Sequence, residues 1–385
     1  MSDKINIGID ALGINEEGGG RTSILRYLQT IIEEANEWNY VIYLSEYEPT
    51  LTKPNVKQVI LPFTRGILSR FFMQIYLPFD VIFRKLDVIH FTKGQASLVP
   101  IAKMVLTIHD LTIIHHPDIH NRLSVFYWKR IQPWMAKKMH AIFAVSKNTA
   151  NDIVSHYKIS PEKISVVYNT SQFHDYFNKN LTARSIINEE ERQRNPYLLY
   201  VGLLALKKNL ETLVRAIDLL KRNNILKPTL LIVGPRYSES DAGYILELIK
   251  DLNLQDQIIY KGKVPKEDLF EIFKNALVFV FPSIHEGFGI PCLESMELGV
   301  PLIASKTSGI VEVVGDAGVL IDDYLSPKEW AEAIHRVYQS KELRDAMIEK
   351  GYQRSTLIHS KYSPIEAIPI YRSLIQSKRN KVDGF

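Results

Sequence analysis

Cysteine is almost absent from this sequence: its 385 residues include one, Cys292. A single cysteine excludes an internal disulfide framework and any zinc site built from several cysteines. Long apolar runs are also missing, since no stretch approaches the ~18–20 residues of a membrane-spanning helix. The first thirteen residues lack the charged region, apolar stretch and cleavage site of a signal peptide. We therefore expect a cytoplasmic protein.

Charge is scattered along the chain. The formal net charge is +4, and no run of five or six Lys and Arg residues occurs. This mild excess of positive charge suits anionic ligands or a membrane surface, and it does not indicate a nucleic-acid partner. Hydrophobic residues make up 46% and charged residues 23%, a globular composition. A chain of this length fits two domains of ~150–200 residues each.

Short runs rich in Val and Ile alternate with amphipathic stretches of helical length. Seven such runs lie before residue 170, from INIGID at 5–10 to ISVVYN at 164–169. Six more follow from YLLYVG at 197–202 onwards. Each series is typical of buried parallel strands joined by helices. The sequence therefore predicts an α/β protein with two Rossmann-like, doubly wound domains that face each other across a cleft.

The domain boundaries follow from the interval between the two series. We predict an N-terminal domain over 1–175 and a C-terminal domain over 190–362. The polar stretch 171–196 has no strand pattern and is interpreted as the connection between them. The last segment, about 363–385, begins as a helix and is a candidate to pack back on the N-terminal domain.

The most informative segment is FPSIHEGFGIPCLESMELG at 281–299. A strand ends there, a glycine-bearing loop from Glu286 to Gly289 follows, and Pro291 suits the first position of a helix. Glycines in such a loop let backbone N–H groups approach a phosphate, and a helix N-terminus adds further donors. Glu286 on the loop and Glu294 one turn into the helix frame this anion site. The alternative is a helix-capping loop with two solvated glutamates.

This segment resembles the retaining GT-B glycosyltransferases of family 4, whose E-x7-E motif matches Glu286 through Glu294. Similar matches occur along nearly the whole chain. They are GIDA with Gly18 to Arg21, TIHDL at 107–111, VSKNTANDI at 145–153, YVGLLALKKNLETL at 200–213 and SGIVEVVGDAG at 308–318.

The resemblance implies a retaining hexosyltransferase. Its donor would be a nucleotide-diphosphate sugar, either a UDP-hexose such as UDP-glucose or GDP-mannose, with UDP preferred on the breadth of the family. Its acceptor would be a hydroxyl of a glycan or lipid-linked molecule in surface polysaccharide biosynthesis. The resemblance implies no metal cofactor, which agrees with the lack of an Asp-x-Asp motif.

The same resemblance implies the roles of individual residues. Lys208, with Lys207, would neutralise the leaving diphosphate, Glu286 would orient the sugar, and His109 would contact a sugar hydroxyl. The reaction would be a same-face displacement in which the leaving phosphate takes the acceptor proton. Leu203 departs from the Arg that many members carry at this position. The implied catalytic residues are Glu286, His109 and Lys208; the donor-binding residues are Gly19, Gly20, Lys207, Lys208, Val264, Glu286, Gly287, Phe288, Gly289, Ile290 and Glu294.

Three alternatives stay open at this stage. The chain could be a non-catalytic nucleotide-sugar-binding protein or a sugar-nucleotide epimerase of the same fold. Four histidines and two aspartates within 109–120 could form a metal site, although their spacing fits no named zinc pattern. The stretches 65–85 and 126–138 mix aromatic with basic residues, which suits either peripheral contact with the inner face of the membrane or packing against the sheet.

Overall fold

The computed structural model describes residues 4–12, 14, 19–61, 72–180 and 189–382. Thirteen parallel strands in these ranges confirm the two predicted βαβ series. They are β1 Asn6–Asp10, β2 Asn39–Leu44, β3 Val56–Ile60, β4 Val88–Phe91, β5 Lys103–Ile108, β6 Ala141–Ala144, β7 Ile164–Val166, β8 Tyr197–Val201, β9 Thr229–Val233, β10 Ile258–Gly262, β11 Val278–Phe281, β12 Leu302–Ser305 and β13 Val319–Ile321.

Helices connect these strands. They are α1 Gly19–Glu34, α2 Leu77–Phe83, α3 Thr112–His115, α4 Arg122–Phe126, α5 Gln132–Lys137, α6 Lys147–Asp152, α7 His174–Asn180, α8 Glu189–Arg194, α9 Leu210–Arg222, α10 Glu239–Asp251, α11 Lys266–Asn275, α12 Ile290–Glu297, α13 Ser308–Val314, α14 Pro327–Gln339, α15 Lys341–Tyr362 and α16 Ala367–Val382. A short π-helical turn at Phe72–Tyr76 precedes α2, another at Tyr127–Ile131 joins α4 to α5, and a third at Ile153–Tyr157 extends α6. The 3-10 turns lie at Pro49–Leu51, Pro117–Ile119, Pro161–Lys163, Leu206–Lys208 and Pro364–Glu366. None of the helices described here is long and apolar enough to cross a membrane.

The chain divides into two compact units. The first contains residues 1–170 and 362–385, and the second contains residues 171–361. The sheet of the first unit has the order β3-β2-β1-β4-β5-β6-β7, and that of the second has the order β10-β9-β8-β11-β12-β13. In both units the order reverses beside the first strand of the series, where doubly wound proteins bind ligands at the carboxyl ends of the strands.

Apolar side chains cover both faces of the first sheet, as expected of parallel strands packed between helices. Successive residues of one strand enter different cores: Val88 packs in the cluster with Ile7 and Ile9, whereas Ile89 packs in the cluster with Leu106. The two-residue period of a strand produces this division. It explains why the strands appear in the sequence as continuous apolar runs.

Helix α16 packs on the first unit. The hydroxyl of Tyr371 lies 2.7 Å from His90 Nδ1 and 2.6 Å from the Tyr27 hydroxyl, and all three side chains are in the interior or at its edge. Burial lowers the pKa of His90 to about 3, so its imidazole is neutral and can take part in a chain of neutral hydrogen bonds. This network anchors the C-terminal helix to the strands β4 and β5.

The polar stretch 171–196 is more structured than a connection. It contains α7 and α8 and lies wholly in the second unit, apart from residues 181–188, which fall outside the described ranges. Arg192 of α8 is buried, and its guanidinium donates to the carbonyls of Lys274, Leu298 and Gly299. A charged side chain that caps two helix ends binds this polar segment to the domain, which strand patterning cannot reveal.

Candidate functional site

The loop between β11 and α12 lies at the carboxyl end of its strand. After Phe281 the chain passes through Pro282 and Ser283, and Gly289 then adopts φ +101° before α12 begins at Ile290. Glycine is favoured at that φ because a side chain would meet the backbone there. The helix thus begins one residue earlier than predicted, and Pro291 occupies its second position, where its missing N–H is still tolerated.

A second glycine holds this loop against α13. A Cβ added to Gly309 would lie 2.2 Å from the carbonyl oxygen of Gly287, so only glycine allows the two backbones to approach this closely. The Gly309 amide donates to the Glu286 carbonyl at 3.0 Å, and the Ser308 hydroxyl accepts from the Glu286 amide at 2.8 Å. The backbone of the glycine loop is therefore fixed from outside.

Glu286 and Lys208 form a direct ion pair through Oε1 and Nζ. Ser283 Oγ donates to the same carboxylate oxygen at 2.6 Å. The side chains remain 15% and 18% exposed for Lys208 and Glu286, so both are within reach of a ligand. The two residues meet because they follow β8 and β11, which are neighbours in the sheet. The structure therefore brings together two of the three predicted catalytic residues.

Lys207 points away from this pair. Its ammonium lies 4.7 Å from the ring centroid of Tyr237. The 3-10 turn Leu206–Lys208 ends at Asn209, which has φ +55° and whose side chain donates to the Tyr324 carbonyl at 2.9 Å. The two successive lysines of this turn therefore have different partners, Tyr237 for Lys207 and Glu286 for Lys208. Lys208 is thus the lysine held at the Glu286 carboxylate.

Glu294 is buried, and Gln172 Nε2 donates to its Oε1 at 3.0 Å. Desolvation raises the pKa of Glu294 to about 8, and the nearby charge of Glu297 adds to the rise. The carboxyl group is therefore largely protonated at pH 7 in this structure. A pair of hydroxyl donors from a ligand would favour its ionised form.

Of the other predicted donor-binding residues of the second unit, Gly287 to Ile290 lie on the glycine loop or at the start of α12, whereas Val264 follows β10, which β9 and β8 separate from β11. Phe288 and Ile290 are buried at 2% and 8% exposure, so their backbone groups are what they offer to a ligand. Val264 is half-buried and follows Gly262, which ends β10 with φ +71°. Gly287 lies between Glu286 and Phe288, with its carbonyl against Gly309.

Gly19 and Gly20 lie at the start of a helix and not in the predicted loop, and their role in donor binding stays a prediction. Both lie in the first turn of α1, which begins at Gly19, and a Cβ added to Gly20 would meet nothing within 4 Å. They are the first two of the 16 residues of α1, so the helix starts earlier than the glycine run suggests. Gly18 lies outside the described residues.

His109 follows β5 in the first unit, and its Nε2 lies 2.8 Å from the Thr92 carbonyl. A carbonyl can only accept, so Nε2 carries the proton and Nδ1 is left with the acceptor role. Burial lowers the pKa of His109, which keeps the ring neutral. His109 lines a pocket with Thr92 and Asn169, among others, so a hydroxyl that enters there could donate to it.

The histidine-rich stretch 109–120 does not form a metal site from its own residues. Among the described residues only His115 of this stretch joins a group of possible ligands, and its partners Asp152 and His156 come from α6 and the turn that extends it.

The sequence does not assign individual roles to Ser308 and Gly309, which support the glycine loop. They lie in the segment SGIVEVVGDAG, which resembles the family only as a whole. Ser283 likewise had no assigned role.

The family described as Glycosyltransferase Family 4 matches residues 18–170, and Glycosyl transferases group 1 matches residues 183–354, so the two matches together span most of the chain. The O-antigen chain mannosyltransferase B of Escherichia coli is 30% identical over 221 residues, which are 57% of this chain and 57% of that protein. In the first three curated relatives the chain spans 57%, 60% and 31% of the relative's length.

Solved structures share the fold over nearly the whole chain. Sucrose-phosphate synthase from Thermosynechococcus elongatus matches with a TM-score of 0.76 and 18% identity, covering 97% of this chain and 100% of that one. WaaG, a glycosyltransferase involved in lipopolysaccharide biosynthesis, matches with a TM-score of 0.74 and 15% identity, covering 95% and 99%. The chain therefore belongs to the glycosyltransferases, by its two matches to Glycosyltransferase Family 4 and Glycosyl transferases group 1, and the structural matches show the GT-B fold.

Proposed function

We propose that this protein is a retaining hexosyltransferase that moves a sugar from a nucleotide diphosphate to an acceptor hydroxyl. The observation that carries the proposal is the Lys208–Glu286 ion pair beside the Glu286–Gly289 loop. It combines a cation for a diphosphate, a carboxylate for a sugar and a glycine loop that opens a helix. A helix-capping loop alone would not require a cation held at Glu286.

The chemistry follows from these groups. As the bond between the anomeric carbon and the diphosphate oxygen breaks, negative charge grows on the phosphate, and the Lys208 ammonium stabilises it. Glu286 stabilises the positive charge that develops at the sugar ring. The acceptor oxygen bonds to the anomeric carbon on the same face, and its proton passes to the departing phosphate oxygen. No metal ion takes part in this scheme.

For the donor we propose a nucleotide-diphosphate hexose with mannose as the favoured sugar. The support is the 30% identity to a protein named as an O-antigen chain mannosyltransferase. GDP-mannose is therefore the first candidate donor and UDP-glucose the second, and a glycan or lipid-linked hydroxyl is the proposed acceptor. Surface polysaccharide assembly would be the setting of the reaction.

A thermal-shift series tests the donor site. UDP, GDP, ADP, UDP-glucose and GDP-mannose are each added with and without EDTA. A ligand at 100 times its dissociation constant adds ~2.7 kcal/mol of stability, which raises the melting temperature measurably. A shift by one nucleotide that EDTA leaves unchanged supports metal-free binding and identifies the base. No shift with any of them contradicts the proposal.

Binding must also be distinguished from transfer. The proposed function requires sugar to reach an acceptor or, without one, slow release of free sugar from the bound donor, with the α configuration of the donor retained. Proton NMR of the anomeric signal measures both. A nucleotide that binds without any turnover, even in the presence of lipid-linked glycan acceptors, favours a non-catalytic binding protein, and an epimerised sugar nucleotide favours an epimerase.

We also propose contact with the inner face of the membrane. Two helical stretches of the first unit expose apolar side chains: Phe79 and Phe83 are 71% and 83% exposed, and Phe126 and Trp134 are 58% and 50% exposed. Residues 65–71 of the first predicted stretch lie outside the described ranges. Both helical stretches also contain buried residues, so each packs on the sheet with one face and exposes apolar side chains on the other.

The loop at residues 94–96 contacts both helical stretches. Gln74 Nε2 donates to the Ala96 carbonyl at 3.0 Å, and Gln132 Nε2 donates to the Gly94 carbonyl at 3.0 Å. Both stretches therefore contact the same loop, and the second also carries the exposed Lys129 and Arg130. Apolar side chains flanked by cations suit an interface with anionic lipid.

Co-sedimentation with vesicles of phosphatidylcholine and phosphatidylglycerol tests this contact. We expect binding to anionic vesicles and its loss in Phe83→Ser/Trp134→Ser. The control is Leu325→Ser, which removes a 58% exposed leucine from the second unit and should bind as the parent does. Equal sedimentation of all three proteins, or none with any of them, contradicts a membrane surface at this place.

A further inference from the structure

A cluster of three side chains lies apart from the Lys208–Glu286 pair in the second unit. His174 of α7, Glu297 of α12 and His359 of α15 each offer a ligand atom, and these atoms all lie within 4.8 Å of one another. His359 Nε2 is 2.5 Å from Glu297 Oε1, and the two imidazole rings lie with their centroids 4.0 Å apart. Three elements distant in sequence thus place two nitrogens and a carboxylate together.

The cluster is enclosed and its members are oriented by neighbours. The Glu297 side chain has 0% exposure and that of His359 has 12%. The Ser171 hydroxyl donates to the second carboxylate oxygen of Glu297, and the Asn178 amide nitrogen lies 3.0 Å from His174 Nε2. Hydrogen bonds from neighbouring groups hold ligands in this way in protein metal sites, and here they reach Glu297 and His174.

We propose that His174, Glu297 and His359 bind a divalent transition-metal ion, with Zn²⁺ as the preferred ion. Two imidazole nitrogens with one carboxylate oxygen form a ligand set suited to Zn²⁺, whereas Ca²⁺ and Mg²⁺ require sites built from oxygen. On binding, His359 and Glu297 exchange their direct hydrogen bond for bonds to the ion. A water molecule completes the coordination.

The position of the cluster indicates a structural role. Glu297 lies three residues after Glu294 on α12, His174 is three residues from the first residue of the second unit, and His359 is two residues from its last. An ion here links the helix that carries Glu294 to both ends of the second unit. The expected effect is a more stable second unit, and it does not depend on the proposed sugar transfer.

Metal titration of the full chain, produced without a histidine tag and freed of metal by chelation, tests the site. Isothermal titration with Zn²⁺ and the visible spectrum with Co²⁺ are measured for the parent, His174→Ala, His359→Gln and the double variant His115→Ala/His156→Ala. The double variant is a matched control because it disrupts the other group of possible ligands among the described residues. His359→Gln keeps a hydrogen-bonding group toward Glu297.

The parent should bind Zn²⁺ in this cluster and show a higher melting temperature with the ion. His174→Ala and His359→Gln should each weaken this binding at least about 10-fold, the smaller of the losses seen even when groups around metal ligands are removed. The control should retain both the binding and the temperature shift. Circular dichroism of each variant establishes that it is folded.

Two results overturn the proposal. The parent binds no Zn²⁺ and gives no Co²⁺ spectrum of a protein site, or the binding survives in His174→Ala and His359→Gln and is lost in the control. The first result makes the cluster a buried hydrogen-bond network only. The second places the ion at His115 and His156.

Discussion

Lys208 Nζ and Glu286 Oε1 are ion-pair partners although 78 residues separate them in the chain. The contact exists because β8 and β11 are adjacent strands, and each residue lies in the loop that follows its strand. The ion pair holds both side chains in place before a ligand enters. A donor diphosphate would therefore compete for a cation that is already in place.

Lys208→Ala should abolish most of the proposed transfer while the protein stays folded. Removal of one preorganised group that stabilises transition-state charge costs about 10²–10³ in kcat. Steady-state kinetics with the donor identified by thermal shift measures the loss. Lys341→Ala, which removes a surface lysine paired with Asp345, is the control and should retain the parent rate. Equal rates in both variants would remove Lys208 from the site.

Glu294 should make the stability of the protein depend on pH. Its pKa of about 8 lies above the ordinary value of 4.5, so between these values the folded state binds more protons than the unfolded state. Stability contributed by the neutral carboxyl is thus present at low pH and lost as pH rises toward 8, by at most about 1.4 kcal/mol per unit.

Glu294→Gln removes this dependence because the amide does not titrate. Melting temperatures of the parent and the variant, measured from pH 5 to pH 8, should move apart in favour of the variant as pH rises. Parallel curves over this range would show that the Glu294 carboxyl ionises at an ordinary pKa.

Gly309→Ala should destabilise the loop that carries Glu286. The new Cβ would lie 2.2 Å from the Gly287 carbonyl oxygen, and overpacking of this kind costs about 1–3 kcal/mol. Urea denaturation measures the cost, and nucleotide affinity should fall with it. Gly243→Ala is the matched control: its Cβ meets nothing within 4 Å inside α10, so it should gain about 0.5–1 kcal/mol. A neutral Gly309→Ala would mean that the loop moves freely.

The sequence was informative where the pattern is periodic or the residues are contiguous. The central strands appear as apolar runs because they are buried on both faces, and the edge strands β3 and β10 keep Val and Ile residues although they are partly exposed. The segment 281–299 contains a strand end, a loop and a helix start in one stretch. Glu286, Gly289 and Glu294 could therefore be placed without coordinates. Their functional roles stay predictions.

Contacts between distant loops were not accessible in this way. The closeness of Gly309 to Gly287 and the cluster of His174, Glu297 and His359 depend on backbone approach across elements, which no local pattern encodes. Gly19 and Gly20 were misplaced for a related reason, because a glycine run favours a loop unless the following helix extends over it. Sequence spacing thus identified functional residues that lie in one loop, and it missed clusters whose residues come from several elements.

Arg192 shows how a polar segment can be part of a domain core. Its guanidinium donates at 2.7 Å to the Lys274 carbonyl near the end of α11 and at 2.8 Å to the Gly299 carbonyl just beyond α12. Arg192→Met keeps much of the side-chain volume and removes the donors, which leaves buried carbonyls unsatisfied and should cost about 3 kcal/mol. The midpoint of urea unfolding for the second unit should fall accordingly.

Arg194→Met is the control, because Arg194 is on the exposed side of the same short helix. It should change the free energy of unfolding by less than about 0.5 kcal/mol. If both variants unfold at the parent's midpoint, α8 is a surface connection after all, as its composition alone suggested.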